Sequence, residues 1–195
     1  MVLKKYKIIC VVLVSMVGNS VLSAQSKKEL PYYEVPEYSK EFTAGTMAAR
    51  MVDALGFRFY WASKDLTEKD LAYKLNSDGR STAETFDHIY DLSKIIVNST
   101  LKKANSRGEK EEMTYEKKRA ATLKNLKIAA DILRESNDIS EYKIIFGEQE
   151  IPFWNQVNGP IADAIWHCGQ LAVYRRVTGN PINPKVNHFT GKVMQ

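Results

Sequence analysis

Two histidines and one aspartate are the residues of this chain whose types and spacing best suit shared chemistry. His88 lies in a helical pattern at residues 81–92, and Asp163 and His167 lie four residues apart in a second helical pattern. Residues at this spacing are about 40° apart around a helix axis, so the carboxylate and the imidazole share a face. If the two helices pack together, two nitrogens and one oxygen can converge on one divalent metal ion and leave positions open for water or substrate.

Each of these residues also has an ordinary structural interpretation. His88 is flanked by apolar residues, and such a histidine is often a core residue bonded to a neighbour. A buried carboxylate is costly unless it is paired, and His167 is the nearest partner for Asp163. His188, in the polar tail, is expected at the surface and is the replacement ligand if Asp163 points elsewhere. Spacing alone leaves open both a metal site and an internal Asp163–His167 polar pair.

Three further residues are candidates to contact the histidines or to line a cleft beside them. Gln170 follows His167 by three residues and can either orient that imidazole through its second nitrogen or make a contact between helices. Asp91 follows His88 by three residues and is a candidate hydrogen-bond acceptor for it. Trp61 can line a cleft, although a large aromatic side chain is more often part of the packing.

Residues 1–24 have the order of a secretory signal peptide. Lys4, Lys5 and Lys7 precede a short apolar run at 8–17, and a small-residue region leads to a cleavage position near Ala24. The apolar run is too short to span a hydrocarbon core of roughly 30 Å comfortably. We therefore expect an exported protein, periplasmic or secreted, with no stable membrane anchor after cleavage.

Removal of this segment changes the charge and the cysteine count. The full chain has 28 Lys and Arg against 23 Asp and Glu; without the three lysines of residues 1–24, 25 minus 23 leaves +2. This small excess argues against a nucleic-acid partner and leaves a small molecule as the expected substrate. Cys168 is then the one remaining cysteine, so the core and not a disulfide must stabilise the domain. A homodimer through an exposed helix face stays open.

The rest of the chain predicts a single all-α domain. Residues 25–38 are polar and contain proline, which indicates an extended N-terminal arm. Helical segments are expected at 39–62, 81–101, 114–136 and 160–178, with a longer connection at 139–157 before the last helix. The apolar series of the first segment is Phe42, Met47, Met51, Leu55 and Phe59. Together these patterns predict a four-helix bundle over residues 39–195, ending in a short tail.

The segments around the candidate ligands resemble the DinB-like superfamily of metal-dependent helix-bundle proteins. That family carries a metal histidine in its second helix, after a Ser/Thr-x-x-Glu start, and two histidines separated by three residues before Gly-Gln in its last helix. His88 and His167 match these positions, whereas Asp163 stands at the first of the paired histidines. Residues 175–181 also match the family's Arg-rich helix end and Gly-x-Pro stop. The resemblance implies a divalent metal at these three residues; two imidazoles and one carboxylate suit Zn, Ni, Fe or Mn.

The resemblance further implies a metal-dependent enzyme of hydrolase or transferase type. Members of the family include transferases and isomerases that use low-molecular-weight thiols, which are mainly cytosolic, so export favours a metal-assisted hydrolase or another transferase. No separate general base can be identified from the sequence. The alternative is a non-catalytic helical binding or structural protein in which Asp163 and His167 form an internal polar pair.

Overall fold

The computed structural model describes residues 30–106 and 112–195, and this part of the chain is mainly helical. A 3-10 turn at Ile139–Glu141 follows the fourth helix, and a π-helical turn at Val157–Ile161 joins the last two. The expected signal peptide, residues 1–24, lies outside the described residues. The helices are α1 (Ala44–Ala62), α2 (Glu68–Ala72), α3 (Thr82–Thr100), α4 (Tyr115–Arg134), α5 (Trp154–Gln156) and α6 (Ala162–Val177).

Four long helices build the body of the molecule. Helix α1 packs against α4 and α6, and α3 packs against the same two helices. Each long helix sends fully buried apolar side chains into the shared core, among them Leu55, Ile89, Leu126 and Leu171. The two helices that carry the candidate ligands are therefore neighbours. Within the described ranges, no helix combines the length and apolar character needed to cross a bilayer.

Two small sheets make the all-α prediction too narrow. Strands β1 (Ala104–Asn105), β2 (Ile144–Phe146) and β3 (Gln149–Ile151) form one sheet in that order, with β1 parallel and β3 antiparallel to β2. Strands β4 (Val186–Asn187) and β5 (Lys192–Val193) pair antiparallel near the C-terminus. Strands of two or three residues are too short for an alternating pattern that the sequence could reveal. The predicted long connection before the last helix contains the β2–β3 hairpin.

The first helix begins later than predicted. Thr43 is its N-cap, and the Thr43 and Thr46 side chains form a capping box that fixes the start at Ala44 rather than near residue 39. Phe42 therefore lies before the helix and is 89% exposed, and Met47 faces solvent as well. The predicted apolar series was wrong at these two positions. The capping box predicted for Ser81 and Glu84 is confirmed at the start of α3.

The last helix, α6, begins at Ala162 instead of residue 160, and a short helix, α5, and a distorted turn precede it. Pro160 was expected in the first turn, but it lies inside the π-helical turn that connects α5 to α6, and Gly159 has non-helical backbone angles there. Proline has no N–H to donate, and the non-helical angles of Gly159 make this turn a kink between α5 and α6. The predicted end is confirmed: Thr178 is the C-cap, and Gly179 follows with a φ of +91°.

The N-terminal arm is part of the folded body in its described portion. Tyr32 and Val35 are buried in the core. The Trp61 indole N–H donates to the Tyr33 carbonyl at 3.0 Å, and Val35 N donates to the Gly191 carbonyl at 2.9 Å. The arm is thus held against α1 and against the C-terminal tail, instead of extending freely from the domain.

Candidate metal centre

The packing of α3 against α6 brings His88, Asp163 and His167 together. One donor atom from each residue lies within 4.8 Å of the other two. Asp163 uses both oxygens: Oδ2 is 3.0 Å from His88 Nε2, and Oδ1 is 3.3 Å from His167 Nε2. The two imidazole rings meet edge to face, with centroids 4.8 Å apart. The carboxylate therefore joins two histidines that come from different helices.

The cluster lies where the core meets solvent. On α6, Ala164, Cys168 and Leu171 are buried, and they hold the neighbouring face of the helix against the core. The His167 side chain is 11% exposed, whereas the Asp163 side chain is 40% exposed. The inner side of the cluster is thus shielded by protein, and its outer side is open to water and small molecules.

Gln170 fixes the orientation of the His167 ring. Its Oε1 lies 2.7 Å from His167 Nδ1. An amide oxygen only accepts hydrogen bonds, so Nδ1 carries the proton of this contact and, in the neutral ring, Nε2 presents its lone pair. Of the two roles foreseen for Gln170, orientation of the imidazole is the one that this contact supports. The same arrangement is common around metal-bound histidines.

Arg80 makes a further contact with the cluster. Its Nη1 lies 3.3 Å from His167 Nε2. An arginine only donates hydrogen bonds, so this contact needs a lone pair on Nε2, whereas the carboxylate of Asp163 needs a proton on the same atom. No single protonation state of that nitrogen suits both neighbours. A divalent cation suits the donor set better, because nitrogen and carboxylate both bind it through lone pairs.

The spacing of the donor atoms also fits a shared cation. Nitrogen and oxygen ligands lie ~2.0–2.2 Å from Zn, so two ligands of one ion are ~3–4 Å apart. The two contacts of Asp163 with the histidines, 3.0 Å from Oδ2 and 3.3 Å from Oδ1, fall in this range, and one donor atom from each of the three residues lies within 4.8 Å of the others. Two imidazoles and a carboxylate form a donor set for Zn, Ni, Fe or Mn. The arrangement could hold one such ion, with its outer side open.

Other candidate residues lie apart from the cluster. The Asp91 carboxylate pairs with Lys94 at 2.8 Å and is not the acceptor for His88 that the spacing suggested. Trp61 is buried against the N-terminal arm, where it contacts Tyr33. His188 is exposed, as expected, and its ring meets Phe57 edge to face. Neither Trp61 nor His188 belongs to the cluster.

Cys168, next to His167 in sequence, is a core residue. Its side chain is buried, and burial raises the pKa of the thiol to about 12. A thiol acts as a nucleophile or a metal ligand in its thiolate form. Cys168 is therefore unsuited to either role at neutral pH.

Arg80 is the residue near the cluster that sequence reasoning missed. It directly precedes Ser81, the N-cap of α3, and so stands outside both helical patterns. The nearest local signal was the capping box itself, which marks where the helix starts but not what the preceding side chain contacts. Its position beside His167, 87 residues away, depends on how α3 packs against α6.

A separate groove lies between the N-terminal arm and helices α1 and α4. It is partly open to solvent and is lined in part by Arg50, Asp53 and Arg134. Arg134 donates to the buried Asp53 carboxylate at 2.5 Å, so the charged groups at the groove neutralise each other. No member of the histidine cluster lines it. The donor set that suits metal chemistry belongs to the cluster and not to this groove.

Comparisons with known proteins provide no assignment. No protein-family model matches the chain, and neither the curated proteins nor the solved structures contain a match. The function of the chain must therefore be inferred from the geometry of the cluster and from the motifs that surround it.

Proposed function

We propose that this chain is an exported, DinB-like, metal-dependent enzyme of hydrolase or transferase type, with a divalent metal between α3 and α6. The observation that carries the proposal is the convergence of His88, Asp163 and His167, with donor atoms within 4.8 Å of one another. The arrangement of the four long helices supports a DinB-like bundle, because one candidate ligand comes from the second of them and two come from the last.

The chain's own residues prepare this site in three ways. Asp163 supplies a negative charge between two imidazoles, which favours a cation there. Gln170 holds the His167 ring with Nε2 directed into the cluster, and the buried face of α6 keeps water from the inner side. A divalent ion in this position supplies a Lewis acid toward water, a thiol or a carbonyl group. The exposed side of Asp163 leaves room for the substrate.

The choice of hydrolase or transferase chemistry depends on export. The signal-peptide order of residues 1–24 supports export, and cytosolic low-molecular-weight thiols are then unsuitable co-substrates. The net charge of +2 after cleavage, 25 minus 23, supports a small-molecule substrate over nucleic acid. An exposed helix face leaves room for a homodimer.

A second candidate function is a non-catalytic binding or structural protein. The direct contacts of Asp163 favour it, because a hydrogen bond with His88 at 3.0 Å and an ion-pair contact with His167 at 3.3 Å can satisfy the carboxylate without an ion. In that case the cluster joins α3 to α6 and has no reactive role.

Metal analysis of the purified mature protein separates the two candidates. Purified without chelator, the wild type is expected to hold or take up ~1 equivalent of Zn, Ni, Mn or Fe, because three ligands are in place. His88→Ala should reduce this to less than ~0.1 equivalent, since two ligands on one helix remain. His188→Ala is the matched control, because it removes a histidine that lies outside the cluster, and it should retain the metal.

Circular dichroism of the three proteins should be alike, so that loss of metal is not a loss of fold. A wild type that takes up none of the four ions would overturn the metal proposal and favour the structural one. Retention by His88→Ala, or loss in His188→Ala, would instead overturn the assignment of the ligands.

A further inference from the structure

We propose that Arg80 binds an anionic group of the substrate, a carboxylate or a tetrahedral oxyanion, and thereby makes metal binding and anion binding cooperative. The inference rests on the proposed metal function and adds to it the chemical class of the substrate. The observation that carries it is the 3.3 Å contact between Arg80 Nη1 and His167 Nε2, which is one of the three atoms that would hold the metal.

Among the described residues, Arg80 has no carboxylate within ion-pair distance. None of the ion pairs in the described part of the chain includes it. By contrast, the Arg134 guanidinium pairs with Asp53 and Asp131, and Arg175 is buried against backbone carbonyls. The Arg80 side chain is exposed and uses one donor on the cluster. Its remaining donors can bind an anion bidentately.

The backbone that carries Arg80 is fixed next to the cluster. Ser81 N donates to Glu84 Oε2 at 2.7 Å, and Thr82 N donates to the Tyr73 carbonyl at 2.9 Å. Lys74 and Ser81 also form an isolated β-bridge. The base of the Arg80 side chain is therefore held in place, while its long exposed stem leaves the guanidinium free to move over a short range.

The guanidinium and a divalent ion compete for the same side of His167. Both are cations, and both need the lone pair of Nε2, so they repel each other and cannot occupy that position together. Metal binding requires Arg80 to turn toward solvent, where it stays beside the ion because its backbone is fixed. An anion bound between the guanidinium and the ion removes this repulsion. The metal should therefore raise the affinity for the anion, and the anion should raise the affinity for the metal by the same factor.

Titration calorimetry of the metal-free mature protein with Zn²⁺ tests this inference without any activity assay. Acetate serves as the carboxylate probe and sulfate as the tetrahedral probe, with free Zn²⁺ corrected for complexes in solution. In the wild type, at least one probe should raise the affinity for Zn²⁺ by about fivefold or more. Arg80→Gln should bind Zn²⁺ more tightly than the wild type without either probe, and it should lose the response to both.

Arg176→Gln is the matched control, because it removes the same charge from an exposed arginine of α6. Nine residues separate Arg176 from His167, which is ~13 Å along the helix. This variant should behave like the wild type. A response to acetate alone assigns a carboxylate, and a response to sulfate alone assigns a tetrahedral oxyanion.

The experiment distinguishes a failure of the inference about Arg80 from a failure of the metal proposal. If the wild type binds Zn²⁺ but neither the probes nor Arg80→Gln changes its affinity, the inference about Arg80 is overturned and the metal proposal stands. If Arg176→Gln changes the affinity as much as Arg80→Gln, the effect is one of net charge, and the inference is overturned as well. A wild type that binds no Zn²⁺ in any of these solutions overturns the metal proposal together with the inference.

Discussion

The carboxylate of Asp163 contacts both histidines, with Oδ2 on His88 and Oδ1 on His167. The motif resemblance would place a third imidazole at this position. A carboxylate is shorter and carries a negative charge, so it favours a cation electrostatically but also lowers the Lewis acidity of an ion that it binds. We therefore expect a site that holds its metal through charge and acts on a substrate group that needs only moderate polarisation.

Gln170 offers a test at the level of one hydrogen bond. Gln170→Leu removes the acceptor 2.7 Å from His167 Nδ1 while keeping a side chain of similar size. Loss of such a supporting contact typically weakens metal binding by ~10–100-fold, because the ligand ring is no longer held in one orientation. Zn²⁺ titration of the variant should show a decrease in this range.

The control for this change is Gln170→Glu, which keeps an oxygen at the same position and should retain the affinity of the wild type or exceed it. Equal affinities in the leucine variant and the wild type would show that Gln170 only packs between helices.

The sequence predicted the three residues of the cluster but not Arg80, which lies beside them. Asp163 and His167 share a helix face because of their four-residue spacing, and His88 lies in a helix whose capping box is visible in the sequence. Arg80 could not be predicted in this way, since it stands just before a helix. The direction of its side chain depends on the packing of α3 against α6, which no local pattern encodes.

At the scale of elements, the two helices whose starts were predicted at Ser81 and Thr114 agree best with the structure. Helix α3 begins after Ser81 and α4 after Thr114, and both caps accept hydrogen bonds from backbone N–H groups of the first turn. The start of α6 differs from the prediction because Pro160 lies in the π-helical turn that precedes this helix. Whether the chain forms such a turn depends on tertiary packing. The small sheets were missed because their strands have only two or three residues, and because one pairing, between Ala104 of β1 and Ile145 of β2, joins segments that are distant in sequence.

Helix α2 and the end of α6 are joined by a polar network around the buried Asp70. Asp70 of α2 accepts hydrogen bonds from Thr67, from Thr178 and from Asn180. Burial alone would raise the pKa of this carboxyl, but the hydrogen bonds outweigh burial and lower the pKa to about 2. The ionised form of Asp70 is therefore part of the folded structure that connects α2 to the end of α6.

This network predicts how stability depends on pH. Because the pKa of Asp70 is lower in the folded protein than its ordinary value of 3.8, its contribution is fully present above pH ~4 and is lost as the pH falls toward ~2. Asp70→Asn should lower the free energy of unfolding at pH 7 by about 1–3 kcal/mol, because it disrupts buried hydrogen bonds. Urea unfolding at several pH values measures both effects, and the variant should lose less stability between pH 4 and pH 2 than the wild type.

Asp65→Asn is the control for Asp70→Asn, since the Asp65 side chain is 77% exposed and pairs only with Lys64 at the surface. It should change stability by less than ~0.5 kcal/mol. Equal pH profiles for the wild type and Asp70→Asn would contradict the role assigned to the network.

At the scale of the whole molecule, the two ends of the described chain meet on α1. Val35 N donates to the Gly191 carbonyl at 2.9 Å, and Val193 N donates to Glu34 Oε1 at 3.0 Å. The sequence predicted an extended arm because residues 25–38 are polar and contain proline. It could not predict the burial of Tyr32 and Val35, because two isolated apolar residues gain a partner surface only when the helices have assembled.

A substitution at Gly56 tests how much the packing of the N-terminal arm against α1 contributes to stability. A Cβ atom at Gly56 would lie 2.5 Å from atoms of the Tyr32 ring, which is buried against α1. Gly56→Ala must therefore displace the ring, and overpacking of this kind typically costs about 1–3 kcal/mol. The midpoint of thermal unfolding should fall, and limited proteolysis should cleave the arm faster than in the wild type. Metal content should stay the same, because neither residue contacts the cluster.

The same substitution at Gly169 gives the opposite expectation and serves as the control. A Cβ atom there meets nothing within 4 Å, and the residue is exposed within α6. Alanine favours the helix over glycine by about 0.5–1 kcal/mol, so Gly169→Ala should raise the unfolding midpoint. If Gly56→Ala also raised it, the arm would contribute little to the folded state. A lower midpoint in Gly56→Ala alone, with faster cleavage of the arm, would show that the N-terminal arm and the helices fold as one unit.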